Sequence, residues 1–401
     1  MKFHSWAPVY FDYDAIESMS ADFSYDTASP GLIGMFQNDL GTAWGTVGYS
    51  VYPDDKGVWR HSGHLQFTYT GLYPVLEAAF HLYDTGAGQY HFERRVYDGK
   101  VGYASAFQPV DGPCWMGSLK AYIPFRYNSG GIQRGWVPQI SWSVSNNLYD
   151  NGTMELAAYD NLVGDAPILA FKDFAHGQNL LMQALHGSVR GYWMLPTAES
   201  QVYPRWGVGV ETGFSGRPGL EKIFSPVWFN YLYGYLPGLT RTQGLRLSAS
   251  TQYQFPTGAP FGENYISMAP RGFTATEMRT IARKTAFQVK LTADYAVPIY
   301  VGDISWFSPV AYISHFLFVP HVDWTGFGMA RNGKGTPLKS SLLSAGADFT
   351  VELGNLFWAP FPCSLGVSAS WLGGPYFSTL VESAEKERKP WYVGLVFSLD
   401  I

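Results

Sequence analysis

Apolar and polar residues alternate with a period of two along four well separated stretches of this chain. From Phe287 to Val297 one parity carries Phe287, Val289, Leu291, Ala293, Tyr295 and Val297, and the other carries Gln288, Lys290, Thr292 and Asp294. Leu245 to Phe255 and Leu343 to Leu353 repeat the pattern. The chain runs out on Trp391, Val393, Leu395, Phe397, Leu399 and Ile401, alternating with Tyr392, Gly394, Val396, Ser398 and Asp400. Successive side chains of a strand point to opposite faces, so each stretch is a strand with one oily and one polar face. One such strand would suit a soluble sandwich equally well. Many of them, each about ten residues long, predict an all-β fold: an antiparallel transmembrane β-barrel with lipid outside and water or a plug inside.

Further strands are expected over residues 42–52, 63–69, 76–83, 118–125, 139–144, 185–193, 206–214, 227–236, 309–319 and 364–371. Apolar residues fall on both faces of 309–319, which leaves its inward side open. Turn residues cluster at 53–57, 151–152, 216–219 and 331–338, and a charged hairpin loop covers 382–390. Residues 153–179 break the rhythm and read as an excursion outside the barrel. The aromatic, acidic residues 1–30 read as a leading segment that can include a first strand, and 256–284 as a long loop directed into the lumen. The expected strand count is 16, because single-chain outer-membrane barrels favour even numbers. No linker divides the chain, so residues 1–401 read as a single domain.

Composition sharpens this picture. Charged residues are only 15% and aromatic residues 17% of the 401, against roughly a quarter charged in soluble domains. Low charge with abundant Trp, Tyr and Gly fits an apolar outer band, aromatic girdles and glycine-rich bends. Tyr49, Tyr52, Tyr69, Tyr83, Trp193 and Trp206 sit near strand ends, as girdle residues do. No run of 18 or more apolar residues occurs, which argues against a helical span. The net charge of -5 offers no basic patch for nucleic acid. Cys114 and Cys363 are too few for a disulfide framework or zinc cluster; they pair with each other or pack as single residues. The opening Met1-Lys2-Phe3-His4-Ser5-Trp6 lacks the segments of a secretory signal, so the chain reads as a mature or excised piece.

Candidate chemistry centres on Arg271-Gly272-Phe273, in the loop before the strand that ends Thr292-Ala293-Asp294-Tyr295-Ala296-Val297-Pro298. With these residues the chain resembles the Omp85 superfamily of outer-membrane barrels, over roughly residues 265–401. The resemblance implies a 16-stranded barrel that inserts or translocates polypeptides, with an Arg-Gly-Phe/Tyr loop folded back into the lumen. It also implies that Arg271 meets Asp294 and then an aspartate on the next strand, which matching by motif places at Asp323. The surrounding His321-Val322-Asp323-Trp324-Thr325-Gly326 departs from the family's Phe-x-Asp-x-Gly pattern: it lacks the Phe and shifts the Gly. Alternation alone puts Asp294 on the inward face, where an arginine could pair with it. The opening Phe3-His4-Ser5-Trp6-Ala7-Pro8, with Gln37-Asn38-Asp39-Leu40-Gly41-Thr42-Ala43, also resembles the barrel closing certain large envelope proteins that carry an upstream β-propeller.

Catalytic signals are weak. There is no Gly-x-Ser-x-Gly elbow, phosphate-cradling loop or recognisable carboxylate pair, so no enzyme activity and no cofactor are expected. His61 and His64, and His315 and His321, lack Cys or clustered carboxylates at ligand spacing, so no metal site is expected. The expected location is the outer membrane. The expected partners are the lipid bilayer, periplasmic or outer-membrane proteins and unfolded polypeptide clients. The terminal strand, Trp391 to Ile401, is expected to form a seam with the first strand that could template an incoming strand. The competing reading is a structural anchor or passive pore for an upstream domain.

Overall fold

The computed structural model describes residues 1–11, 28–53, 58–85, 89–97, 100–108, 111–146, 181–198, 200–219, 225–255, 266–273, 278, 281, 285–300, 311–330, 339–356, 363–383 and 389–399. Ten strands precede the first long connection: β1 (Lys2–Phe11), β2 (Ala28–Gln37), β3 (Ala43–Pro53), β4 (Trp59–Tyr69), β5 (Val75–Thr85), β6 (Gln89–Tyr97), β7 (Lys100–Gln108), β8 (Asp111–Tyr122), β9 (Phe125–Ser129) and β10 (Ile132–Asn146). Nine follow it: β11 (Leu181–Met194), β12 (Gly207–Gly216), β13 (Val227–Pro237), β14 (Gly244–Gln254), β15 (Thr285–Ile299), β16 (Ala311–Ala330), β17 (Ser340–Leu356), β18 (Cys363–Gly373) and β19 (Trp391–Leu399). A seven-residue helix, α1 (Phe377–Ser383), lies between β18 and β19. No helix among the described residues is long and apolar enough to cross a membrane.

The ladders are antiparallel and, β5–β8 and β8–β10 apart, join sequence neighbours from β1–β2 through β18–β19. The strands β6 and β7 form a separate hairpin, so β5 pairs directly with β8. Both β8 and β9 pair with β10, one after the other along its length. Counted as one line, they bring the sheet's seventeen strands to sixteen lines among the described residues. The described part of the leading segment belongs to the wall: β1 and the start of β2 lie inside residues 1–30, and residues 12–27 lie outside the described residues. Residues 153–179 lie outside the described residues.

Parity then decides which face meets what. On β13 to β17 the outward positions carry Leu232, Leu247, Leu291, Val322 and Phe349, all well exposed. The inward positions carry Tyr231, Gln252, Lys290, Asp294, Asp323 and Ser344, all buried. A protein folded for water shows the reverse distribution. An apolar outer wall around a polar interior is stable only where the outer wall meets hydrocarbon.

The interior of one half is filled. Ile266, Met268, Phe273, Met278 and Ile281 pack in one cluster with Phe229 on β13, Phe327 on β16, Leu342 on β17, Leu372 on β18, and Tyr376 and Leu380 at α1. This cluster bridges β13 and β18 through the lumen, so the wall curls around the loop it encloses. The helix α1 folds inward because Tyr376 N–H donates to Ser341 O at 3.1 Å and Gly374, at φ +106°, turns the chain there. A Cβ on Gly374 would lie 2.7 Å from Ser341 O, which reserves the position for glycine.

Candidate functional site

The loop before β15 enters the interior, and its tip is the four-residue turn Pro270-Arg271-Gly272-Phe273. Phe273 N–H donates to Pro270 O at 3.1 Å, and Gly272 sits at φ +83°. Positive φ at the third turn position is the type II geometry, which needs glycine. A Cβ there would meet Leu372 Cδ2 at 2.8 Å and Tyr392 Cβ at 3.0 Å, so the turn also rests directly on β18 and β19. Phe273 is buried and meets Phe377 of α1 edge-on at 6.2 Å. Behind the tip, Thr325 Oγ1 on β16 donates to Met268 O at 2.8 Å and holds the loop's incoming arm.

Arg271 projects from this turn into three carboxylates on three successive strands. Its Nη2 donates to Asp294 Oδ1 on β15. Its Nε lies 3.6 Å from Asp323 Oδ2 on β16, and its backbone N–H donates to that same oxygen at 2.9 Å. Its Nη1 donates to Asp348 Oδ2 on β17 at 3.4 Å. The fork shape of guanidinium suits this task, since each edge faces a different acceptor. Asp348 was not among the residues matched by motif, although its place among the inward-facing residues of its strand is visible in the sequence.

His321 extends the cluster to a fourth strand. Its Nδ1 lies 3.5 Å from Asp348 Oδ2, and its Nε2 shares a hydrogen bond with Ser370 Oγ on β18 at 3.1 Å. The ladders explain the convergence: Asp294 pairs across with His321, His321 with Gly346, and Gly346 with Ser370. One loop tip therefore touches β15, β16, β17, β18 and β19 from inside.

The chain is an all-β barrel. No family model matches the sequence, and no curated protein matches it. Among solved structures it is similar to BamA from Haemophilus ducreyi lacking POTRA domains 1-3, with 12% identity over 98% of this chain and 69% of that chain and a TM-score of 0.48. A likeness that distant transfers no residue role.

The terminal strand differs from the rest of the wall. Among the described residues no ladder joins β19 to β1. Trp391, Val393 and Leu395 point outward and are 70%, 71% and 82% exposed, whereas Leu247 and Leu291 are 42% and 46% exposed. Phe397 and Leu399 take part in the ladder to β18 opposite Leu365 and Cys363, and Ile401 lies outside the described residues. Of the two cysteines, Cys114 is buried on the inward face of β8. Among the described residues no three His, Cys, Asp or Glu side chains gather at metal-binding distance.

Proposed function

We propose that this barrel sits in an outer membrane and assists insertion or translocation of polypeptides there. The carrying observation is the tip of the lumen loop, where Arg271 ties Asp294, Asp323 and Asp348 together while Gly272 bears on Leu372 and Tyr392. This brace makes β15 to β19 one unit and leaves the outer edge of β19 without a described partner. An unpaired edge offers backbone donors and acceptors to an incoming strand, which is the physical basis of β-augmentation. The resemblance of the Arg271-Gly272-Phe273 loop to the Omp85 superfamily supports the same reading.

The filled half-lumen, with Phe229, Met268, Ile281, Leu342 and Leu372 all at 1% exposure or less, speaks against a wide passive pore. The test is insertion of a radiolabelled outer-membrane client into liposomes containing the barrel, for the wild type and for Arg271→Ala. A folded Arg271→Ala barrel that supports full insertion would sink the assignment and favour a structural anchor.

A further inference from the structure

The outward face of β2 to β5 carries a groove that its ladders explain. Cross-strand pairing sets Phe36, Gly45, Phe67 and Ala78 side by side in one row, and Val47, Leu65 and Phe80 in the next. Large and small residues alternate in the first row, so Gly45 is a trench floor between the Phe36 and Phe67 side chains, and Ala78 is a step beyond them. The groove measures about 470 Å³. Val47, Leu65, Phe67 and Phe80 line it and are each between 43% and 50% exposed. A Cβ on Gly45 would lie 2.9 Å from Gln66 O, so the close pairing of β3 with β4 keeps the floor low.

The groove lies toward the end of the barrel where residues 38–42 join β2 to β3 and residues 70–74 join β4 to β5. Short turns mark the periplasmic end of outer-membrane barrels. At that rim Lys2 Nζ pairs with Asp39 Oδ1 at 2.7 Å, the two side chains 76% and 72% exposed, and Met1 beside Lys2 lines the groove. We propose that the groove binds one phospholipid, with an acyl chain in the trench and a zwitterionic phosphoethanolamine headgroup on the Lys2–Asp39 pair. This site needs the outer wall to meet hydrocarbon and needs nothing of client insertion. Across β3 the strands β2 and β4 stand about 9.5 Å apart, two strand spacings, and the Phe36 and Phe67 rings narrow that gap further. A helix about 10–12 Å across does not enter it, whereas a single hydrocarbon chain does. Bilayer tails are as apolar as the wall, so the chain is held by dispersion contact with fixed side chains on both flanks rather than by hydrophobicity. The rim adds selectivity, with the Lys2 ammonium facing the phosphate and the Asp39 carboxylate facing the headgroup ammonium. An exposed ion pair is worth little on its own, so opening it around a zwitterion costs little.

The test uses the full chain refolded in detergent micelles containing phosphatidylethanolamine, washed with lipid-free detergent and weighed by native mass spectrometry. One phospholipid should remain on the folded wild type. Ala78→Phe, which fills the step beside Phe67, should lower that occupancy at least fivefold, and Ala249→Phe, on the outward face of β14 opposite Leu232, should leave it unchanged. Asp39→Asn should erase the preference for phosphatidylethanolamine over phosphatidylglycerol while keeping the chain bound. Heat-modifiable gel migration confirms that each variant has folded. A folded wild type that keeps no phospholipid after washing overturns the site alone, whereas a chain that never folds into lipid overturns the membrane wall beneath it. Occupancy unchanged in folded Ala78→Phe means surrounding bilayer lipid only and overturns the proposal. A lipid-free dimer that Ala78→Phe dissociates overturns it in favour of a second copy of this chain.

Discussion

Arg271→Ala removes the side chain that reaches Asp294, Asp323 and Asp348 together. The variant keeps the backbone N–H bond to Asp323 but loses the guanidinium donors to the other two carboxylates. It leaves Asp294 at 3% exposure and Asp323 at 0%, facing Asp348 with no cation from the loop. Breaking a buried ion pair from one side costs about 3–5 kcal/mol. Because the arginine side chain is itself 19% exposed, the lower end, about 3 kcal/mol, is the expected loss. With a urea dependence of about 1–3 kcal/mol per molar, that is a midpoint shift of about 1–3 M. The assay is reversible urea unfolding in lipid vesicles, followed by tryptophan fluorescence. Arg271→Lys should recover only part of the loss, since an ammonium on a flexible stem cannot face three acceptors at once. Neutralising Asp294 in the Arg271→Ala background should recover some as well, because the repulsion it relieves exists only when the cation is gone. A folded Arg271→Ala barrel within about 0.5 kcal/mol of the wild type would refute the brace.

Three further outcomes follow from the same geometry. Gly272→Ala should lower the urea midpoint, by about 1–3 kcal/mol in stability, because it combines a left-handed φ with a 2.8 Å approach to Leu372. Asp348→Asn should cost about 1–3 kcal/mol and should show non-additivity with Arg271→Ala in a double-mutant cycle; strict additivity would remove Asp348 from the cluster. Leu232→Arg, mid-strand on the outward face of β13, should cost about 2–4 kcal/mol for folding into lipid, and a neutral effect would mean that this face does not meet hydrocarbon.

Much of the wall is legible in the sequence because period-two alternation survives wherever one face meets lipid and the other a polar interior. The strands β14, β15 and β17 show it without interruption. Legibility fails where the alternation is diluted. The strand β2 carries Pro30, Gly31 and Gly34, which leave it without the alternation that would mark a strand, and α1 is too short to display a helical period. The start of β16 hides its parity because inward Val319 packs as an apolar residue, and the strand continues unbroken to Ala330. The site divides in the same way. Parity marks Asp294 and Asp348 as polar-face residues and Asp323 comes only with the motif match, while the meeting of Arg271 with Asp348 spans 77 residues and depends on register across the β15–β16 and β16–β17 ladders. The pairing of His64 with His81 is hidden for the same reason, since the two stand on neighbouring strands.

The two halves of the barrel are held by different means among the described residues. The strands β15 to β19 are tied side to side by the ladder and again from within by the loop tip, which spans all five. The strands β1 to β5 are tied differently among the described residues: Tyr10 lies across Gly48 to His64 by stacking, and β1 pairs with β2 through two register shifts. Separating β1 from its neighbours breaks a ladder interrupted at two points, the Tyr10–His64 stack, the edge contact of Phe3 with Phe36 and the Lys2–Asp39 ion pair. Separating β18 from β17 breaks an eleven-pair ladder and disturbs the Asp348–His321–Ser370 chain as well. The loop tip bears on β19 from within through Gly272 and Tyr392, so the ladder and the loop hold that strand from two sides.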